Sequence, residues 1–202
     1  MSKRPTAGRP EVTSPAQIEQ AAFRLFAEQG FDDTTLEAIA AEVGVGRRTL
    51  FRYYRSKNDI PWGQFDRTLD AFRTNLASMP DDLPLHEAVG RAVMLFNAFP
   101  ADALPSHADR MRLIMQTPTL RAHSVLRYAE WRRCIAVHAA TRLGLDPDDL
   151  VPELVGQVSL ALTLTAYERW LRDPAVDVTA LLEEAMAALR TYVGETGAGP
   201  AR

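Results

Sequence analysis

Residues 34–57 read TTLEAIAAEVGVGRRTLFRYYRSK, and the spacing of apolar, glycine and arginine positions here decides the fold. Thr34 followed by Glu37 has the form of a capping box that opens a short helix. Leu36, Ile39, Ala40 and Val43 then make one apolar stripe at helical spacing. Gly44 ends that helix, because glycine accepts the left-handed conformation without a Cβ penalty. Gly44-Val45-Gly46 is a tight turn, with Val45 placed to fill the angle between two helices. The next piece, Arg47 to Arg55, carries Leu50, Tyr53 and Tyr54 on one side of a helical wheel. Arg48, Phe51, Arg52 and Arg55 lie on the other side, flanked by Arg47 and Thr49. Upstream, Ser14, Pro15 and Gln17 signal a helix start, Ile18, Ala22, Leu25 and Phe26 give its stripe, and Gly30 its stop. Three short helices with a glycine turn between the second and third follow the plan of a helix-turn-helix. An apolar-inward, guanidinium-outward helix suits a major groove, where arginine donates two hydrogen bonds to a guanine edge. A basic run that only solvates a surface helix fits this segment equally well.

The whole chain does not advertise nucleic acid. It has 202 residues, a formal net charge of −3 and a pI near 5.8. Residues 1–60 hold nine basic and eight acidic side chains, the remainder fourteen and eighteen. The asymmetry is local: Arg47, Arg48, Arg52, Arg55 and Lys57 form a run with no acid among them. Hydrophobic residues at 47% and charged residues at 24% are an ordinary globular balance, unlike that of a disordered chain. No stretch comes close to the roughly 20 apolar residues of a membrane span. Met1 to Glu11 is polar and basic, with no apolar run behind it to form a secretory signal. The single cysteine, Cys134, makes neither an internal disulfide nor a cysteine-rich zinc site. These features describe a soluble, cytoplasmic protein with no membrane partner.

Beyond residue 58, prolines, glycines and acidic caps divide the chain into helix-length pieces near 59–78, 85–99, 104–116, 119–143, 148–172 and 178–193. No strand alternation interrupts them, and residues 1–12 and 195–202 read as loose tails. The expected fold is all-α with about nine helices. It comprises a tail and helix-turn-helix unit over 1–58 and a larger helical unit over 59–202.

Gly8-Arg9-Pro10, Ala22-Phe23-Arg24-Leu25-Phe26 with Gly30-Phe31, Thr34-Thr35 before Ile39-Ala40, and the run Ala41 to Tyr54 followed by Ser56-Lys57 resemble TetR-type transcriptional regulators. The resemblance is close over the first sixty residues. Arg47-Arg48-Thr49 with Lys57-Asn58-Asp59-Ile60-Pro61-Trp62-Gly63 is similar, more narrowly, to regulators encoded with mycofactocin biosynthesis genes. The resemblance implies that Arg47, Arg48 and Thr49 read bases, that Tyr53 and Lys57 contact phosphates, and that Thr35 binds a phosphate oxygen at a helix start. Two departures stand out. Gly46 replaces the usual polar cap, and Phe51 stands where tyrosine is frequent. The family also implies a double-stranded DNA operator, a homodimer and a small-molecule effector.

For the dimer, Leu154, Val158, Leu162 and Thr165 form one track, and Leu181, Ala185, Ala188, Leu189 and Tyr192 another. Within 148–193 they suit a four-helix interface about a two-fold axis, although packing inside one subunit fits the periodicity too. For the effector, Phe65, Leu69, Phe96, Met111, Arg127 and Trp131 are the candidate residues. Their apolar character, with arginines Arg110, Arg112, Arg121 and Arg127 nearby, suits an acyl-CoA or a similar amphipathic metabolite. No cofactor is implied, and neither the histidines nor Asp146, Asp148, Asp149 and Glu153 show metal-ligand spacing. The main reading is a ligand-responsive repressor; an activator of the same family is the alternative. A third reading, a small all-α enzyme, rests on Cys134 one turn before His138, or on a carboxylate in the second unit.

Overall fold

The computed structural model describes residues 13–100, 102–173 and 175–195. The stretches 1–12 and 196–202 lie outside them, as does Gly8-Arg9-Pro10. The described residues form nine α-helices, one 3-10 helix and no strand. These are α1 (Pro15–Gln29), α2 (Leu36–Glu42), α3 (Arg47–Leu50), the 3-10 helix (Lys57–Trp62), α4 (Gly63–Ala77), α5 (Leu85–Phe96), α6 (His107–Gln116), α7 (Pro118–Leu143), α8 (Leu150–Trp170) and α9 (Val178–Glu195). They fall into two compact units that divide after Gly63.

In the first unit, α1 starts on the expected capping box. The Ser14 side chain accepts from the Gln17 N–H, and the Gln17 side chain accepts from the Ser14 N–H. α2 starts one residue later than its box predicts. Thr35 is the cap, accepting from the Ala38 N–H, while Thr34 is buried and donates to the Gly30 carbonyl at 2.7 Å. Thr34 closes the α1–α2 corner, so it has no free geometry for capping. Ile18, Ala22, Ile39, Leu50 and Ile60 fill the core between these helices. A buried carboxylate, Glu19, accepts from the Tyr54 hydroxyl at 2.7 Å. A Cβ at Gly63 would lie within 3 Å of both groups. Tyr54→Phe removes this donor from a buried acceptor and should cost the unit about 1–3 kcal/mol, read by denaturant unfolding.

The second unit is centred on α7, which packs against α6 and, antiparallel, against α8. Gly156 permits the α7–α8 approach: a Cβ there would lie 2.9 Å from the Arg132 carbonyl oxygen. Gly144, at φ +67°, ends α7 in the left-handed conformation, and the Leu145 N–H returns to the Ala140 carbonyl. The acids that follow serve this loop: Asp146 accepts from the Asp148 N–H, and Asp149 from the Asp146 N–H. α8 corrects one sequence expectation. Over an 18-residue window its mean hydropathy is 1.3, enough by length and composition to span a membrane. Small and aliphatic residues occupy more than one of its faces, since it packs on both α7 and α9 and also leaves Leu150, Val151 and Leu154 exposed.

A polar relay crosses the core of this unit. Asn97 Nδ2 donates to the Val93 carbonyl, and the Tyr167 hydroxyl donates to Asn97 Oδ1. The same hydroxyl lies 2.7 Å from His107 Nε2 and, its own proton being given to Asn97, accepts a hydrogen bond from the Nε2–H, while the ring stacks on Phe99. Nδ1 is buried without a partner among the described residues. Burial, reinforced by the Arg110 charge, pushes the His107 pKa down to about 3. The unfolded chain therefore binds the extra proton first, and stability falls as pH drops below the unfolded value of about 6.5. By pH 5 the loss should reach about 2 kcal/mol, and His107→Asn should flatten this part of the stability–pH profile.

Candidate nucleic-acid interface and effector region

The turn between α2 and α3 is closed by glycine geometry. Gly44 has φ +69°, its N–H returns to the Ala41 carbonyl, and the Val45 N–H returns to Ala40 at 2.9 Å. This is the paired bonding of a Schellman ending. The basic segment is helical over Arg47–Leu50 only, and Phe51 to Tyr53 continue as turns. The expected helix over 47–55 is thus cut to one turn. Gly46 supplies no capping side chain, and Arg47 and Arg48 put positive charge at the positive end of the helix. Thr49, Phe51, Tyr53 and Tyr54 are also weak helix formers.

The side chains still divide as the wheel requires. Leu50 and Tyr54 are buried, Tyr53 is half-buried, and Arg47, Arg48, Phe51, Arg52 and Arg55 are exposed. Arg47 is held lightly, by Glu37 at 3.0 Å and over the Phe51 ring at 5.2 Å. Among the described residues, Arg48, Arg52 and Arg55 make no ion pair. Thr49 is half-buried beside them, and the Thr35 oxygen accepts the capping bond while its O–H stays available to an acceptor. Tyr53 and Lys57 are committed inward instead. The Tyr53 hydroxyl donates to the Thr13 carbonyl at 2.9 Å, and Lys57 donates to the carbonyls of Phe31 and Asp32 while sitting over the Phe31 ring. Lys57 keeps one N–H for another acceptor; Tyr53 keeps none. Arg52 and Arg55 are outward cations in the sequence as well, and having no ion-pair partner among the described residues they join the candidate site.

In the second unit, Phe65, Phe96 and Trp131 come together around Phe72. Phe65 meets Phe96 at 5.6 Å, and Phe72 stacks on Trp131 at 5.3 Å with rings 5° from parallel. Trp131 Nε1 is buried with no hydrogen-bond partner among the described residues. Leu69 and Met111 are buried, and Arg127 pairs with Asp66, tying α7 to α4. Grooves of similar size lie on different sides of α7. One, of about 570 Å³, lies between α4 and α7 and is lined by Arg73, Leu76, Met79, Cys134, Val137 and His138 among others. The other, of about 580 Å³, lies between α6, α7 and α8. None of the six effector candidates lines either groove. On the far side, exposed Leu150, Val151 and Leu154 of α8 and exposed Tyr192 and Val193 of α9 form apolar surface, whereas Leu181 is buried within the subunit.

Residues 18–60 match the family described as bacterial regulatory proteins, tetR family, and residues 83–194 match the MftR C-terminal domain. A Mycobacterium tuberculosis protein named as a candidate mycofactocin biosynthesis transcriptional regulator, MftR, is 42% identical over 187 residues, covering 93% of this chain and 92% of that protein. The chain belongs to the TetR family of transcriptional regulators. Among solved structures of the same fold, Thermus thermophilus FadR in complex with lauroyl-CoA has a TM-score of 0.56 at 22% identity, covering 87% of this chain and 93% of that one. The triclosan complex of SmeT, a multidrug-efflux repressor of Stenotrophomonas maltophilia, has a TM-score of 0.59 at 19% identity, covering 86% and 90%.

Within this TetR-family chain, both departures in the basic segment have a structural counterpart. Gly46 leaves α3 without a side-chain cap, and Phe51 supplies the ring under Arg47. The enzyme reading gains nothing from its two candidate groups. Cys134 Sγ donates to the Glu130 carbonyl, and burial raises its pKa against the opposing charge of Arg73. Burial, then the charge of Arg142, lowers the pKa of His138 against the opposing Asp81. A protonated thiol beside a weakly basic imidazole is a poor nucleophile–base pair.

Proposed function

We propose that this regulator is a cytoplasmic homodimeric repressor that leaves its operator when an amphipathic effector binds. The carrying observation is the exposed set Arg48, Arg52 and Arg55, without an ion pair among the described residues, beside Arg47 and Thr49. Cations without local partners give up little when they meet phosphates or guanine edges. A short helix reads only a few base pairs, so a second copy on a second half-site is needed for selectivity. The exposed apolar residues of α8 and α9 support the pairing of copies.

The aromatic cluster of Phe65, Phe72, Phe96 and Trp131, with its unused indole N–H, supports an effector that has a long apolar part and a polar group. The lauroyl-CoA carried by FadR gives a chemical precedent for such a molecule, an acyl-CoA. An anionic group that reaches Arg127 competes with Asp66 for its guanidinium. Release follows from linkage: the effector binds more tightly to a form whose recognition helices are wrongly spaced for half-sites about 34–36 Å apart. Operator DNA then weakens effector binding by the same factor. The test titrates acyl-CoAs of increasing chain length against a preformed operator complex. Long chains should dissociate it, and Phe65→Ala should raise the concentration required by about tenfold while leaving operator affinity unchanged. Failure of every acyl-CoA, with release by neutral or cationic apolar compounds, would contradict an anionic effector.

A further inference from the structure

We propose that the groove between α6, α7 and α8 is a separate binding site for a small organic carboxylate with a short apolar tail. Its volume of about 580 Å³ lies in the range of ordinary ligand pockets. Arg121 from the first turn of α7 and Arg172 from just beyond α8 both line it. Among the described residues neither guanidinium has an ion-pair partner. This sets them apart from Arg73, Arg112, Arg127 and Arg133, each of which is paired with an aspartate. Two arginines without ion-pair partners, one from α7 and one from the turn after α8, suit an anion receptor on one concavity, since the guanidinium fork matches a carboxylate edge.

The third charge in the groove fixes the charge of the ligand. Glu168 also lines it, so the site carries one net positive charge and suits a monoanion better than a phosphate dianion. Tyr128 lines the same wall, and burial pushes its pKa up to about 12, so its phenol stays protonated at neutral pH. Ile114, Met115, Leu164 and Leu171 supply the apolar part of the lining. Arg127 and Trp131 of the aromatic region are not among the lining residues, so occupancy here does not depend on the effector reading above.

Isothermal titration of the full-length protein with sodium octanoate, octan-1-ol and octyl phosphate tests this site. Octanoate should saturate one site per chain, with octan-1-ol at least about tenfold weaker. Arg121→Ala and Arg172→Ala should each weaken octanoate by about tenfold or more, the usual loss for a charged hydrogen bond. Glu168→Gln replaces an exposed side chain, leaves the fold intact and should strengthen octanoate binding. Phe65→Ala, which alters the aromatic cluster, should not change it. The proposal is overturned if octanoate shows no saturable binding at millimolar concentration, or if both arginine variants bind it like the parent. It is equally overturned if octan-1-ol matches octanoate, if octyl phosphate binds more tightly, or if Phe65→Ala abolishes binding.

Discussion

Leu154→Glu should turn the proposed homodimer into a monomer at micromolar concentration. Leu154 is 54% exposed on α8, so the subunit tolerates a polar side chain there and the effect falls on assembly. In a two-fold interface the substitution places two like, unpaired carboxylates on one buried seam. An uncompensated buried charge costs about 3–5 kcal/mol, which corresponds to more than a hundredfold in the dissociation constant of the dimer. Sedimentation velocity reads the change directly, and thermal melting of the same sample checks that the fold survives. Leu162→Glu and Leu189→Glu should act in the same direction. Both are half-buried in the subunit, so part of their effect will appear as lost stability. A parent protein that sediments as a monomer would remove the basis for this expectation.

Arg48→Ala should lower operator affinity by about 1–3 kcal/mol and leave binding to random DNA nearly unchanged, the signature of a lost bidentate base contact. Arg47→Ala should cost less, because Glu37 and the Phe51 ring already hold that guanidinium. Arg52→Ala and Arg55→Ala should weaken all sequences alike and reduce the salt slope by about one counterion each, as phosphate contacts do. Lys57→Ala should act mainly on stability, since its ammonium fastens the carbonyls of Phe31 and Asp32. Equal losses on operator and random DNA for Arg48→Ala would contradict its assignment to base reading.

The sequence carried the helix-turn-helix because its signals are local. Ser14 and Gln17, the stripe of α2 and the Gly44 turn depend only on residues within a few positions of one another. The extent of α3 was less legible, because wheel periodicity gives the inward and outward faces but does not measure how poorly Gly46 caps a run of arginines and aromatics. Thr34 shows the same limit: a capping pattern displaced by one residue reads like the real one until the Gly30 carbonyl claims the hydroxyl. In the second unit, residue type made Phe65, Phe96 and Trp131 candidates without showing that they meet, and the fold brings them together. Partners more than a few turns away in sequence, such as Asp66 for Arg127 or Tyr167 for His107, leave no local trace. The same holds for Arg121 and Arg172, whose shared groove exists only once α7 and α8 lie antiparallel.

The most direct measurement of the central claim is fluorescence anisotropy of the full-length protein on a duplex enriched from random sequence by binding, beside a scrambled duplex of equal length. Titrations at about 50 to 200 mM salt separate phosphate attraction from base reading. The account predicts an enriched duplex with two related half-sites, bound about a thousandfold or more tightly than the scrambled one across that range. Equal affinities for the two duplexes, falling together as salt rises, would mean that the arginine surface is only a basic patch.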